Sequence, residues 1–115
     1  MSARYNLVCE QATTFNFQFT IKNGSTPWNL TNYTAIMTVR PFVGATTTTV
    51  VASTANGRIT LNGGLGQVTV NLSNTVTGAI SPNTYAYDLV LDSGTVVSRI
   101  LEGNFIVTGA VTTSV

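Results

Sequence analysis

The chain has 115 residues, with five Lys or Arg and four Asp or Glu, a charged fraction of 8% where an average domain has about 25%. It holds no histidine and one cysteine, Cys9, so the commonest general base and metal ligand is missing and neither an internal disulfide nor a zinc cluster can be built. A net charge of +1 gives no basic field for phosphates, and no run of about 18 apolar residues suits a membrane span. Nucleic acid, membrane, cofactor, small-molecule substrate and ordinary catalysis are therefore not expected.

What replaces charge is threonine: 21 Thr, 11 Asn and 8 Ser make up 40 of the 115 residues, beside 14 Val and 6 Ile. Thr, Val and Ile are stiff at χ1 and suit a pleated surface, so an all-β chain is expected. The length fits a single domain over 1–115. The first residues have no apolar stretch of signal-peptide length, which leads to the expectation of a soluble chain not exported by the Sec route.

Tyr5, Leu7 and Cys9 alternate with Asn6, Val8 and Glu10, which makes Cys9 a small core residue of a first strand. Phe15, Phe17, Phe19 and Ile21 alternate with Asn16, Gln18, Thr20 and Lys22, so this strand buries one face. Asn23-Gly24 predicts a reversal, because both positions accept positive φ. Trp28, Leu30 and Tyr33 are spaced as a helical turn that plugs one end of the core. A strand over 32–40 follows with Ala35, Met37 and Val39 inward, and Pro41 stops it. Residues 42–47 read as a loop and 48–53 as an exposed edge strand, with a turn at Asn56-Gly57.

Strands over 58–61 and 67–72 flank the glycine-rich segment 62–66. That segment has neither the following Lys-Ser/Thr nor a helix start that a phosphate loop needs, so a hairpin turn is expected. Ser73 caps a short helix near 73–80, with Val76 and Ile80 inward and Ser81-Pro82-Asn83 ending it. Tyr85, Tyr87, Leu89 and Leu91 mark a strand over 84–92, which Asp92-Ser93-Gly94 turns into 95–102. Gly103 then separates a last strand over 104–112. Eight or nine short strands at this spacing predict an antiparallel β-sandwich, immunoglobulin-like in outline.

Asp88 and Asp92 share a strand face, and Glu102 can approach from the neighbouring strand. Carboxylates so placed can hold calcium or work as acid and base. The simpler expectation is that Asp88 pairs with Arg99 across the hairpin while Asp92 opens the turn. Arg40, Arg58 and Arg99 are the long cations of an otherwise neutral surface and, with Thr48 and Val50 of the expected edge strand, are the candidate interface residues. The Asn-X-Ser/Thr sequons at Asn23, Asn29, Asn32 and Asn71 are near the number chance gives in so Asn- and Thr-rich a chain.

Several segments carry a resemblance: Tyr5-Asn6-Leu7-Val8 with Glu10-Gln11 and Phe15; Trp28-Asn29-Leu30-Thr31-Asn32-Tyr33-Thr34-Ala35 running into Met37-Thr38-Val39-Arg40; Gly66 before the strand ending Leu72-Ser73; Tyr87-Asp88-Leu89; and Arg99-Ile100-Leu101-Glu102-Gly103. In this order they resemble a family of small tailed-phage virion proteins, over nearly the whole chain. The resemblance implies a β-sandwich module of tails, baseplates or fibre anchors, with no catalytic residues to carry over. The chain departs from the pattern at Gln11-Ala12-Thr13-Thr14-Phe15, where the family often has Gly at the second position, and at its uncharged end, Thr112-Thr113-Ser114-Val115. The first departure bears on a bulge near residue 12, and the second suggests a tail that packs.

The expectation is thus a non-enzymatic structural component of a bacteriophage virion, made in the host cytoplasm. It would assemble with copies of itself and other virion proteins through Thr, Asn and Val surfaces that cost little to desolvate. A tail, baseplate or fibre-anchoring position is favoured over capsid decoration. A carbohydrate-binding or adhesin module is the alternative from another class, with Trp28, Tyr33, Tyr85 or Tyr87 as stacking platforms.

Overall fold

Alternating apolar residues become strands that bury one face each. The computed structural model describes residues 3–23 and 26–109. The strands, in chain order, are β1 (Ala3–Arg4), β2 (Leu7–Glu10), β3 (Phe15–Thr20), β4 (Lys22–Asn23), β5 (Thr26–Pro27), β6 (Thr34–Arg40), β7 (Val50–Ser53), β8 (Ile59–Asn62), β9 (Gln67–Leu72), β10 (Asn83–Asp92) and β11 (Val97–Thr108). A short helix, α1 (Asn74–Gly78), lies between β9 and β10. Its N-cap is Ser73, whose Oγ accepts from Val76 N–H at 3.3 Å.

The large sheet has the order β1-β11-β10-β6-β7, with β2 also on β11, and the small sheet has the order β3-β9-β8. Met37, Val39, Tyr85, Tyr87, Leu89, Leu91 and Phe105 from the large sheet meet Phe15, Ile59, Val68, Val70 and Leu72 from the small one in a single buried cluster. Each fully buried aliphatic or aromatic side chain there is worth about 1.5–3 kcal/mol. This is an all-β fold of two packed sheets, as the alternation predicts.

Several expectations are corrected. The sandwich is not wholly antiparallel, since β1 and β2 run parallel to β11, Ala3 opposite Leu101 and Leu7 opposite Phe105. The two strands expected on either side of Gly103 are one, β11, which passes through Gly103 opposite Tyr87. Gly103 is there because another backbone needs its space. A Cβ on it would sit 2.9 Å from the Tyr5 carbonyl carbon and 3.0 Å from Asn6 Oδ1, at the interruption between β1 and β2. Tyr5 N–H still donates to Glu102 O at 2.9 Å, and Asn6 Oδ1 accepts from Asn104 N–H at 3.0 Å, so two hydrogen bonds bridge the interruption.

The helical turn expected at 28–33 is a β-turn: Tyr33 N–H donates to Leu30 O at 3.0 Å, and Asn32 takes φ 70°, which no helix continues. Its plugging role holds, with Leu30 buried and Trp28 edge-on to Tyr33 at 5.8 Å between centroids. The reversal expected at Asn23-Gly24 is seen in the pairing of Asn23 with Thr26, while Gly24 itself and the tail beyond 109 lie outside the described residues. The segment 62–66 is the expected hairpin connection, closed by a 3₁₀ turn with Gly66 at φ 65°. Tyr85 and Tyr87 use their hydroxyls as pins, donating to Ser81 O and to Tyr5 O, each at 2.6 Å.

Instead of a bulge near residue 12 the chain makes a turn between β2 and β3, with Thr13 N–H donating to Glu10 O at 3.2 Å and Ala12 at φ 66°. A left-handed conformation costs a non-glycine residue about 1–2 kcal/mol, and Thr77 Oγ1 donating to Thr13 O at 2.7 Å holds the turn against α1. Two stability outcomes follow, both read by urea unfolding. Ala12→Gly relieves the strain and stabilises by about 0.5–1 kcal/mol after the extra chain entropy of glycine. Gly103→Ala forces β11 away from Tyr5 and costs about 3 kcal/mol.

Candidate assembly surfaces

The outward face of the large sheet gathers much of the chain's charge. Arg40, Asp88, Arg99 and Glu102 line a shallow cleft of about 290 Å³ floored by Thr38 and Ala86 and overhung by Phe42 and Val43. Arg99 Nε donates to Asp88 Oδ2 at 3.0 Å, with the two side chains 55% and 34% exposed. This is the expected cross-hairpin pair, and its exposure limits its worth to about 0–1 kcal/mol. Asp92 opens the following turn, as expected, its Oδ1 accepting from Gly94 N–H at 2.7 Å. Among the described residues no three of His, Cys, Asp and Glu come together as a metal site.

The other two candidate arginines serve main-chain carbonyls. Arg40 Nη1 donates to Ala45 O at 3.1 Å and to Thr47 O at 3.3 Å, which folds the loop after β6 back on itself and leaves its tip, Phe42 and Val43, 63% and 90% exposed. Arg58 Nη1 donates to Val51 O at 2.9 Å. Thr48 is exposed in the approach to β7, but Val50 is buried. Its pairing opposite Val39 turns its side chain into the core, so Val50 offers no surface.

The strand expected over 48–53 is shorter, Val50–Ser53, and does end the large sheet. Its open side is closed by side chains. Asn56 Nδ2 donates to Val51 O at 3.0 Å beside Arg58, and Asn56 Oδ1 accepts from Ser53 N–H at 2.9 Å. Main-chain groups so occupied are withdrawn from pairing with another chain. The Asn56-Gly57 turn, with Gly57 at φ 79°, places Asn56 for this task.

The neutral surface foreseen in the composition is the outward face of the small sheet. Within its strands the face consists of Asn16, Gln18 and Thr20 on β3, Gln67, Thr69 and Asn71 on β9, and Thr60 and Asn62 on β8. They stand in rows, Thr20-Gln67-Asn62 and Gln18-Thr69-Thr60, and Gln18 Nε2 donates to Thr69 Oγ1 at 3.1 Å. Burial of such groups is offset only where a partner replaces their hydrogen bonds to water, and there is no ion to desolvate.

Of the four rings expected as stacking platforms, Tyr85 and Tyr87 are buried, while Trp28 and Tyr33 are half-buried and meet edge to face. The loop tip at Phe42 was not singled out in the sequence; a Pro-Phe-Val-Gly segment after a strand was the available signal. No family model matches the chain, and no curated protein matches it.

Cys9 and Tyr87 give the fold an alkaline limit. Burial, reinforced by neighbouring Glu10, pushes the Cys9 thiol up to about 11 from 9.0, and burial, reinforced by Tyr5, pushes the Tyr87 hydroxyl up to about 12 from 10.0. Both groups hold their protons more tightly folded than unfolded, so their stability contribution is complete below the unfolded values and is lost as pH climbs through the folded ones. The melting temperature is therefore expected to fall between about pH 9 and 12 on account of these groups. Cys9→Ala removes the part of the decline that starts lowest, which scanning calorimetry across that range measures.

Proposed function

We propose that the protein is a non-enzymatic structural component of a tailed-phage particle, held among copies of itself and other virion proteins by its neutral surfaces. The observation that carries this reading is the outward face of the small sheet, amide and hydroxyl groups in register across three strands. The motif order shared with small virion proteins supports the particle, and within it a tail, baseplate or fibre-anchoring position.

The immunoglobulin-like assignment belongs to the same proposal. Its support is the strand order, in which β11, β10, β6 and β7 stand as G, F, C and C′ and β3, β9 and β8 as B, E and D. A second support is Tyr85, whose hydroxyl reaches back to Ser81 O four residues upstream at the start of β10, the position of a tyrosine corner. The non-enzymatic part rests on a sequence without histidine and on a thiol whose burial keeps it protonated at neutral pH.

The test is mass spectrometry and labelling of purified particles of the phage that encodes the chain, with antibody raised against the purified protein. Label at the tail or baseplate is expected. Label on the head replaces that position with capsid decoration, and particles that are infectious and lack the chain overturn the reading.

A further inference from the structure

The small sheet ends in an open strand. Ile21 N–H donates to Gly66 O at 2.8 Å, continuing the β3–β9 ladder. Antiparallel strands bond to a neighbour through alternate residues, so Phe15, Phe17 and Phe19 bond to β9. Asn16, Gln18 and Thr20 turn their N–H and C=O groups to the other flank, where no strand pairs with β3 among the described residues. Both pieces of the first strand, β1 and β2, are spent on β11 instead.

The remaining edges are guarded and this one is not. β7 is closed by Asn56 and Arg58, β8 has only four residues, and the β1–β2 edge is interrupted at Tyr5-Asn6 and carries Arg4 and Glu10. β3 is six residues long, in unbroken register from Phe15 opposite Leu72 to Thr20 opposite Gln67, with no charge, proline or bulge. These are the devices by which edges ordinarily avoid pairing. Along its inner side runs a half-covered aromatic strip. Phe17 and Phe19 are half-buried with centroids 5.4 Å apart, and Tyr5, 53% exposed, lies 5.6 Å from Phe17.

We propose that β3 pairs with β3 of a second copy of this chain, antiparallel about a two-fold axis at Gln18, so that two three-stranded sheets become one continuous sheet. The proposal deepens the assembly reading above by naming one partner and one contact. The strand is complementary to itself in this register. Gln18 faces Gln18 of the second copy and Asn16 faces Thr20, which are the residues whose main chain is open, and about six main-chain hydrogen bonds close. Phe17 then faces Phe19 in the closer, non-bonded pairs, where aromatic rings meet best. A two-fold axis also sets residues of the strand against like neighbours. A strand without charge tolerates this, and Lys22 falls opposite Thr14 rather than opposite itself. The amide and hydroxyl face runs on across the join.

Sedimentation equilibrium of the purified chain from about 1 µM to about 1 mM tests the pairing. A dimer is expected for the wild type. Gln18→Lys and Gln18→Glu each set like charges opposite across the axis and weaken it at least ~10-fold, and an equimolar mixture of the two variants restores it. The Gln18 side chain is exposed, so both variants are expected to fold, which their unfolding curves check. Amide exchange supplies an independent readout: the Asn16, Gln18 and Thr20 amides slow with concentration in the wild type and not in Gln18→Lys. A wild type monomeric at 1 mM, a dimer indifferent to both charges, or a dimer that leaves these amides fast overturns the proposal. None of these outcomes bears on whether the chain is in the particle, which the labelling experiment decides.

Discussion

The seating of the first strand on β11 is the constraint on which most of the architecture depends. A parallel strand cannot be joined to its partner by a tight turn, so the chain's two ends must meet with the whole sandwich between them. The fit is made where the Tyr5 carbonyl enters the space a side chain would take at Gly103. That carbonyl then accepts the Tyr87 hydroxyl, tying the first strand to the middle of the large sheet through the core. The Tyr5 ring, turned the other way, rests on Phe17 and links the two sheets along one flank. The same seating leaves the small sheet one strand short.

The shortage of charge is handled inside the molecule as much as at its surface. Arg40 and Arg58 satisfy loop and edge carbonyls, and Arg99 is matched to Asp88. A guanidinium has several donors fixed in a plane, so one side chain can hold a loop that would otherwise need turns of its own. Arg40 holds the connection between β6 and β7 in this way, through Ala45 O and Thr47 O. The same use of arginine separates the two flanks, one closed by Asn56 and Arg58 and the other left to main-chain groups alone.

Faces were legible in the sequence and partners were not. Period-2 alternation placed Phe15, Met37, Val39, Leu89 and Leu91 inward because the pleat allows no other arrangement. Asn56-Gly57 and the Ser73 cap were legible because each is decided within a few residues. Gly103 was read as a break because the reason for it, the Tyr5 carbonyl, is distant in the chain. Val50 was read as surface because an edge strand suggests open side-chain faces, whereas only its main-chain flank lacks a neighbouring strand and the pairing with Val39 turns Val50 into the core. Arg40 and Arg58 were read as outward-looking because their carbonyl partners, in the loop after β6 and on the edge of β7, are set by a chain path that no pattern predicts. The edge at β3 escaped notice for the same reason as the parallel pairing: alternation says which side of a strand is wet, never which strand lies beside it.

The amide and hydroxyl face of the small sheet has a consequence in the medium around it. Forces between ionic surfaces are weakened as the Debye length shrinks from about 30 Å in dilute salt to about 3 Å at molar salt, whereas hydrogen-bonding dipoles in contact have almost no such dependence. Asn16, Gln18, Thr20, Thr60, Asn62, Gln67, Thr69 and Asn71 carry no ionisable group, so contacts made through them would depend little on ionic strength or on pH in the neutral range. Contacts of that kind would be as strong in concentrated salt as in dilute.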